Sequence, residues 1–210
     1  MQKKLISFNK TFMQNNCFGD EKNPDVFSFV DKGTYVCLTA PHATSSFVQK
    51  NVKCADLYTG AIVKYIGEKY DFSYIVRNKF VAKKCLISDF VTQNNLQKNF
   101  FLDVHAMKDG NDFDLAVGIG YFREREYEKQ LQWIDELASK YGLKYVINDK
   151  RYTGIKGLTG RLQKKTCMAN VLQLEFSKSY RDIFNGFENV QKVTVPFLTD
   201  LCKMINQTKF

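Results

Sequence analysis

The chain has 210 residues, 44% hydrophobic and 25% charged, which is long enough to bury a full core. It contains no apolar run of about 18 residues, which excludes a membrane-spanning helix, and its basic start, Met1-Gln2-Lys3-Lys4-Leu5, lacks the apolar stretch of an export signal, so a cytoplasmic protein is expected. Lys and Arg outnumber Asp and Glu by 31 to 22, a net charge of +9, with the signs interspersed along the chain; this favours a lysine-rich solvated surface over nucleic-acid binding and suits a small anionic substrate.

Residues 5–8 and 26–30 read as extra edge strands, an extension of the fold over residues 1–30. Residues 34–40 form an apolar, β-branched run ended by Pro41, the pattern of a buried strand. Over 55–69, Leu57, Ala61, Ile62, Tyr65 and Ile66 fall at helical spacing. Residues 72–76 read as a strand and 89–97 as a helix. The strand over 100–104 delivers His105 at its end, and 113–119 is another strand. Residues 124–141 give the clearest helix, with Leu131, Ile134, Leu137 and Ala138 as its inner stripe and Gly142 as its cap. A short strand over 144–147 follows. Residues 151–165, rich in Gly, Thr and Lys, read as a mobile loop. Residues 169–176 form a strand, apolar until Gln173 and Glu175, and 196–207 form the last helix.

Short apolar strands alternating with amphipathic helices predict a single α/β domain over 1–210. The expected architecture is a three-layer sandwich with a mixed, largely parallel central sheet covered by helices on both faces. The six cysteines, Cys17, Cys37, Cys54, Cys85, Cys167 and Cys202, show no CxxC spacing and read as reduced thiols.

In such sheets ligands bind outside the carboxyl ends of the strands. The chain has two histidines, and both fall there: His42 after the strand ending in Ala40-Pro41, His105 after Asp103-Val104. Glu175 ends a third strand. A carboxylate in an apolar strand must be paired, bound to metal or functional, because an unpaired buried carboxylate is costly. Asp56 precedes a helix that returns to the same rim. Catalytic zinc takes three protein ligands and leaves one position open. His42, Asp56 and His105 make such a set, with Glu175 as general base. Asp103 points to the same side of its strand as His105 and can hold it from behind. The plainer readings stand beside these: strand-end histidines that are satisfied polar groups, and Asp56 as a helix cap.

The run from Pro41 to Gly60, beginning Pro-His-Ala-Thr-Ser-Ser, resembles the first zinc segment of the N-formylglutamate amidohydrolase-like proteins. Leu102-Asp103-Val104-His105-Ala106-Met107 is similar to their second segment, and Leu172-Gln173-Leu174-Glu175-Phe176-Ser177, with Arg181 after it, to their late strand. The three motifs occur in the family's order over about residues 34–205. The wider group shares the zinc-carboxypeptidase fold with the succinylglutamate desuccinylase and aspartoacylase families. The resemblance implies a zinc hydrolase of amide bonds, with zinc ligands His42, Asp56 and His105 and base Glu175. The chain departs from the pattern in three places: no carboxylate follows His42 closely, Ala106 stands where Gly is common, and the wider group's substrate-binding Asn-Arg pair has only Arg77-Asn78, in reversed order, as its nearest counterpart.

For the substrate carboxylate and the oxyanion, arginine suits through its bidentate fork. The candidates are Arg77, Arg123 and Arg161. Arg181 reads as a member of a structural ion pair. Gly154, Gly157 and Gly160 fit either closure of a loop over substrate or a plain surface loop. The expected function is zinc-dependent hydrolysis of an N-acyl amino acid. The alternatives are a zinc carboxypeptidase or peptide amidase, and a catalytically inactive basic domain that binds an anionic partner.

Overall fold

The computed structural model describes residues 1–48 and 51–208. The elements in chain order are α1 (Gln2–Cys17), β1 (Phe27–Val30), β2 (Val36–Ala40), β3 (Ser46–Val48), β4 (Asn51–Lys53), α2 (Thr59–Tyr70), β5 (Ser73–Arg77), α3 (Ile87–Gln93), β6 (Phe100–Ala106) and β7 (Leu115–Gly118). A 3-10 turn (Glu124–Tyr127), α4 (Glu128–Tyr141), β8 (Tyr145–Ile147), α5 (Leu158–Thr166) and β9 (Val171–Phe176) follow. The chain then runs through a 3-10 turn (Lys178–Tyr180), α6 (Phe187–Asn189), a π-helical segment (Val190–Thr194) and α7 (Val195–Asn206). None of the described helices is long and apolar enough to cross a membrane.

Among the described residues, seven strands form one sheet in the order β1-β5-β2-β6-β9-β7-β8, and β3 and β4 form a separate hairpin. β5, β2, β6 and β9 are parallel, β1 and β7 pair antiparallel to their neighbours β5 and β9, and β8 is parallel to β7. This is the mixed, largely parallel sheet expected. One face packs Leu38, Leu102 and Leu172 against α1, α2, α4 and α7. The other packs Cys37, Ile75, Phe101 and Val171 against Ile87 and Val91 of α3 and Leu158 and Leu162 of α5. Helices therefore cover both faces, and the α3/α5 side is the smaller core. From β2 the chain goes through α2 to β5 on one side, then through α3 to β6 on the other. The crevice between the carboxyl ends of β2 and β6 is thus a topological switch point, where α/β sheets bind ligands.

Several elements differ from the sequence expectation. Residues 5–8 lie in α1 rather than in an edge strand: Leu5, Asn9 and Phe12 are buried at i, i+4 and i+7, a helical stripe that four residues alone do not reveal. Residues 26–30 do contain an edge strand, β1. Residues 158–165, expected as loop, belong to α5, because Leu158 and Leu162 dock one turn apart on the sheet despite the Gly- and Lys-rich composition. The helix expected from residue 55 begins at Thr59, since Tyr58 has a left-handed φ of 74° that a helix cannot hold. His105 lies inside β6 rather than after it. Gly142 caps α4 with a φ of 67°, as expected. At Gly60 a Cβ would come within 2.4 Å of the Ala43 side chain, so only glycine lets α2 pack this closely against the segment after His42.

Candidate active site

The period of two along each strand grades the α3/α5 face from apolar to polar. At its amino end stand Cys37, Phe101 and Val171, which join the smaller core. Toward the carboxyl end stand Thr39, then Asp103 and His105, then Gln173 and Glu175. The register aligns them, pairing Thr39 with Asp103, Asp103 with Gln173, and His105 with Glu175. The sheet itself therefore brings the second histidine and the late-strand carboxylate side by side.

The imidazole of His105 is buried and held at both nitrogens. Nε2 lies 2.9 Å from Asp103 Oδ2, and Nδ1 lies 2.9 Å from Asp56 Oδ2. Asp103 is in turn fixed by the Thr39 hydroxyl, which donates to Oδ1 at 2.5 Å. Burial works to lower the pKa of His105, but the charge of Asp103 and the hydrogen bonds to Asp103 and Asp56 raise it to about 10. The ring is thus an imidazolium between two carboxylates. For Asp56, burial pushes the carboxyl up, yet the hydrogen bond to His105 and the Lys53 charge hold it well below the usual range.

Asp56 is brought to the site by the β3–β4 hairpin. That hairpin folds back after His42, and the backbone N–H of Asp56 donates to the carbonyl of His42 at 2.7 Å. Lys53, at the end of β4, places its ammonium 3.4 Å from Asp56 Oδ1. His42 Nδ1 lies 2.9 Å from Ser46 Oγ, and the His42 and His105 rings stand 5.3 Å apart between centroids. Burial and the nearby Lys53 charge keep His42 well below the ordinary imidazole pKa, so it is neutral, the form that ligates metals. Glu175 accepts a hydrogen bond from Gln173 Nε2 at 2.8 Å on Oε1, and burial raises its pKa above the ordinary carboxylate value.

His42, His105 and Glu175 line a cavity of about 240 Å³ whose cationic side chains are Lys53, Arg77, Lys156 and Arg161. A larger depression of about 480 Å³ beside Asp114 and Asp182 contains none of the site residues. Gly157, at the start of α5, allows the cavity wall to close on Gln173, where a Cβ would stand 2.9 Å from Oε1.

The expected arginines separate. Arg161 lines the cavity, with Nε donating to the Lys156 carbonyl at 3.1 Å. Arg77 lines it too, but is buried. Its guanidinium donates to the Pro41 and Cys85 carbonyls at 2.8 and 2.6 Å and stacks 4.5 Å from the centroid of the Phe27 ring. Arg123 is exposed at the start of the 3-10 turn, away from the residues that line the cavity. Arg181 donates to three backbone carbonyls rather than making the expected ion pair. The sequence reading did not single out Thr39, Ser46, Lys53, Lys156 or Gln173. Thr39 and Gln173 carried a signal, since each is a polar residue inside an apolar strand and in phase with a neighbouring site residue. Lys53 carried none, because only the hairpin returns it to the rim.

Among the described residues, no three His, Cys, Asp or Glu side chains already stand as an assembled ligand set; His105 and Asp56 meet through a hydrogen bond. By sequence the chain matches no family model and no curated relative. By structure it is similar to N-formylglutamate amidohydrolase from Ralstonia eutropha JMP134, with TM-score 0.58 and 9% identity over 88% of this chain and 99% of that one. It is also similar to a bacteriophage poly-gamma-glutamate hydrolase, with TM-score 0.55 and 14% identity over 89% of each chain. A third likeness is to a zinc-free structure of YNDL, with TM-score 0.53 and 11% identity over 90% of this chain and 93% of that one. The fold is that of the N-formylglutamate amidohydrolase-like structures.

Proposed function

We propose that the chain is a zinc-dependent amidohydrolase that cleaves an amide bond in a small, carboxylate-bearing substrate of the N-acyl amino acid type. The observation that carries this reading is the meeting of His42, His105 and Glu175 in a cavity with cationic walls at the carboxyl ends of β2 and its neighbours, with Asp56 behind them on His105 Nδ1. The likeness to structures named as an amidohydrolase, a poly-gamma-glutamate hydrolase and a zinc-free protein supports the same class.

The donor chemistry fits zinc. Two imidazoles and one carboxylate are a common catalytic ligand set. His42 is neutral, and its Nδ1 is oriented by Ser46. His105 is backed at Nε2 by Asp103, the carboxylate–histidine arrangement that orients metal-bound imidazoles. The proton between His105 Nδ1 and Asp56 is the positive charge that a metal held by both would replace. His42, Asp56 and His105 would hold the ion. Bound zinc supplies Lewis acidity toward the amide carbonyl and makes water more acidic.

The chain's own groups do the rest. Glu175 takes a proton from the attacking water and returns it to the leaving amine. Burial raises its pKa, which makes the carboxylate a stronger proton acceptor. Gln173 occupies Oε1 and thereby turns Oε2 to the task. Arg161 and Lys156 attract the substrate carboxylate. Arg77 supports the Pro41 carbonyl next to His42 and so shapes the rim more than it reaches for ligand.

One observation favours a second substrate within the same class. A depression lined by Lys150, Arg151 and Lys156 shares Lys156, Gly157 and Gln173 with the site cavity. Such a cationic extension of the site on this side suits a longer polyanion, of which poly-gamma-glutamate is the amide-linked example. The inactive anion-binding alternative lacks a use for the buried Glu175–Gln173 pair. The test is to assay zinc-loaded protein on N-acyl amino acids, short peptides and poly-gamma-glutamate. Release of amine from any one supports hydrolysis and assigns the substrate, and no release from all three contradicts the enzyme reading.

A further inference from the structure

Arg181 follows the 3-10 turn after β9, and its half-buried guanidinium spans three segments of the chain. Nε donates to the Phe176 carbonyl at 3.3 Å, Nη1 to Leu57 at 3.4 Å and Nη2 to Met107 at 3.3 Å. Each acceptor is a neighbour of a site residue. Phe176 directly follows Glu175, Leu57 directly follows Asp56, and Met107 comes two residues after His105. The turn that bears Arg181 is anchored from behind, where Thr194 donates its hydroxyl to the Tyr180 carbonyl and Asn189 donates its amide to that of Ser179.

The three contacts are not equivalent. His105 and Glu175 are already fixed to each other by the β6–β9 ladder, and Met107 N–H donates to Phe176 at 3.1 Å. Asp56 has no strand to hold it. It lies between β4 and α2, and Tyr58 just beyond it keeps a φ of 74°, a left-handed conformation that a bulky L-residue holds only when its surroundings enforce it. The loop's local bonds, from the Asp56 N–H to the His42 carbonyl and from the Thr59 hydroxyl to the Asp56 carbonyl, are joined from outside by the Arg181 segment: the guanidinium takes the Leu57 carbonyl, and the Phe184 ring stands 6.0 Å from that of Tyr58.

We propose that Arg181 is a positioning residue that ties the Asp56 loop to the ends of β6 and β9 and so sets the spacing of the zinc donors. The proposal rests on the zinc reading of the site. It requires arginine in particular, because a planar fork can address three divergent carbonyls whereas a lysine ammonium concentrates its donors at one point.

The test is zinc affinity of the folded full-length chain, by titration against a competing chelator, for wild type, R181M and R181K, with denaturation midpoints of the metal-free proteins alongside. Removing a group that orients metal ligands weakens binding about 10- to 100-fold. R181M is expected to show that loss, and R181K most of it despite the retained charge. Cobalt loading adds a signature, since displaced donors alter its visible spectrum while a merely less stable fold does not. If R181M does not fold, R181K carries the same comparison. Wild-type zinc affinity in the folded variants, with only a lowered midpoint, would overturn the positioning role while leaving the zinc reading intact. Wild type that binds no zinc would overturn the zinc reading and the proposal with it.

Discussion

Asp56 Oδ2 lies 2.9 Å from His105 Nδ1, so the loop after the hairpin and the central strand β6 meet through one buried proton. That contact has a pH signature in metal-free protein. His105 is raised from its ordinary 6.5 to about 10 in the fold, chiefly by Asp103 and the two hydrogen bonds acting against burial. Its stabilising contribution is full below pH 6.5, where the unfolded chain also carries the proton. It declines as the unfolded chain loses that proton and is gone once pH passes about 10. Urea midpoints of chelator-treated protein are expected to fall across this window, and the fall to be missing from His105→Gln. Zinc displaces the same proton, so zinc affinity should rise with pH over the window. Equal slopes in wild type and the variant would contradict the paired imidazolium.

Asp103 is fully buried and serves two partners, Thr39 and His105. Asp103→Asn keeps the shape but removes the charge behind the imidazole, and is expected to weaken zinc binding about 10- to 100-fold. Thr39→Val removes one hydrogen bond to a carboxylate and is expected to cost about 1.5–3 kcal/mol in urea denaturation. Unchanged zinc affinity in Asp103→Asn would remove it as a support of the ligand.

Glu175→Gln keeps a carbonyl oxygen for the Gln173 amide but cannot take a proton. Zinc content should match wild type and turnover should fall about 10²- to 10⁴-fold, the usual worth of a general base. Turnover retained within a few-fold would exclude Glu175 from that role.

Arg161 and Arg77 both line the cavity and should respond differently. Arg161→Met is expected to raise KM about 10-fold on a carboxylate-bearing substrate with kcat little changed, the pattern of lost uniform binding. Arg77→Met leaves the Pro41 and Cys85 carbonyls without their donor. It is expected to cost about 1–3 kcal/mol of stability. A KM effect at Arg77 with no loss of stability would reverse the two assignments.

The strands of the central sheet were legible because their apolar runs exceed what a loop tolerates, and the polar residues interrupting them marked the site. Asp103, His105 and Glu175 could be read on this basis, and strand register then joins His105 to Glu175. Helix α5 was hidden because Gly154, Gly157 and Gly160 signal a loop, while its anchor is only the Leu158–Leu162 pair. Helix α1 was hidden because its stripe is spread over Leu5, Asn9 and Phe12, one of them polar. Asp56 reaches His105 only through the β3–β4 hairpin, whose strands of three residues each are too short to show a period, and the carbonyl contacts of Arg181 are purely tertiary.

The most direct measurement is the zinc content of the full chain, purified without chelator, for wild type beside His42→Ala and His105→Ala. The expected result is about one zinc per wild-type chain and a large loss in each variant that still folds. Wild type without zinc after loading, or both variants retaining the wild-type amount, would contradict a metal centre built on the two histidines.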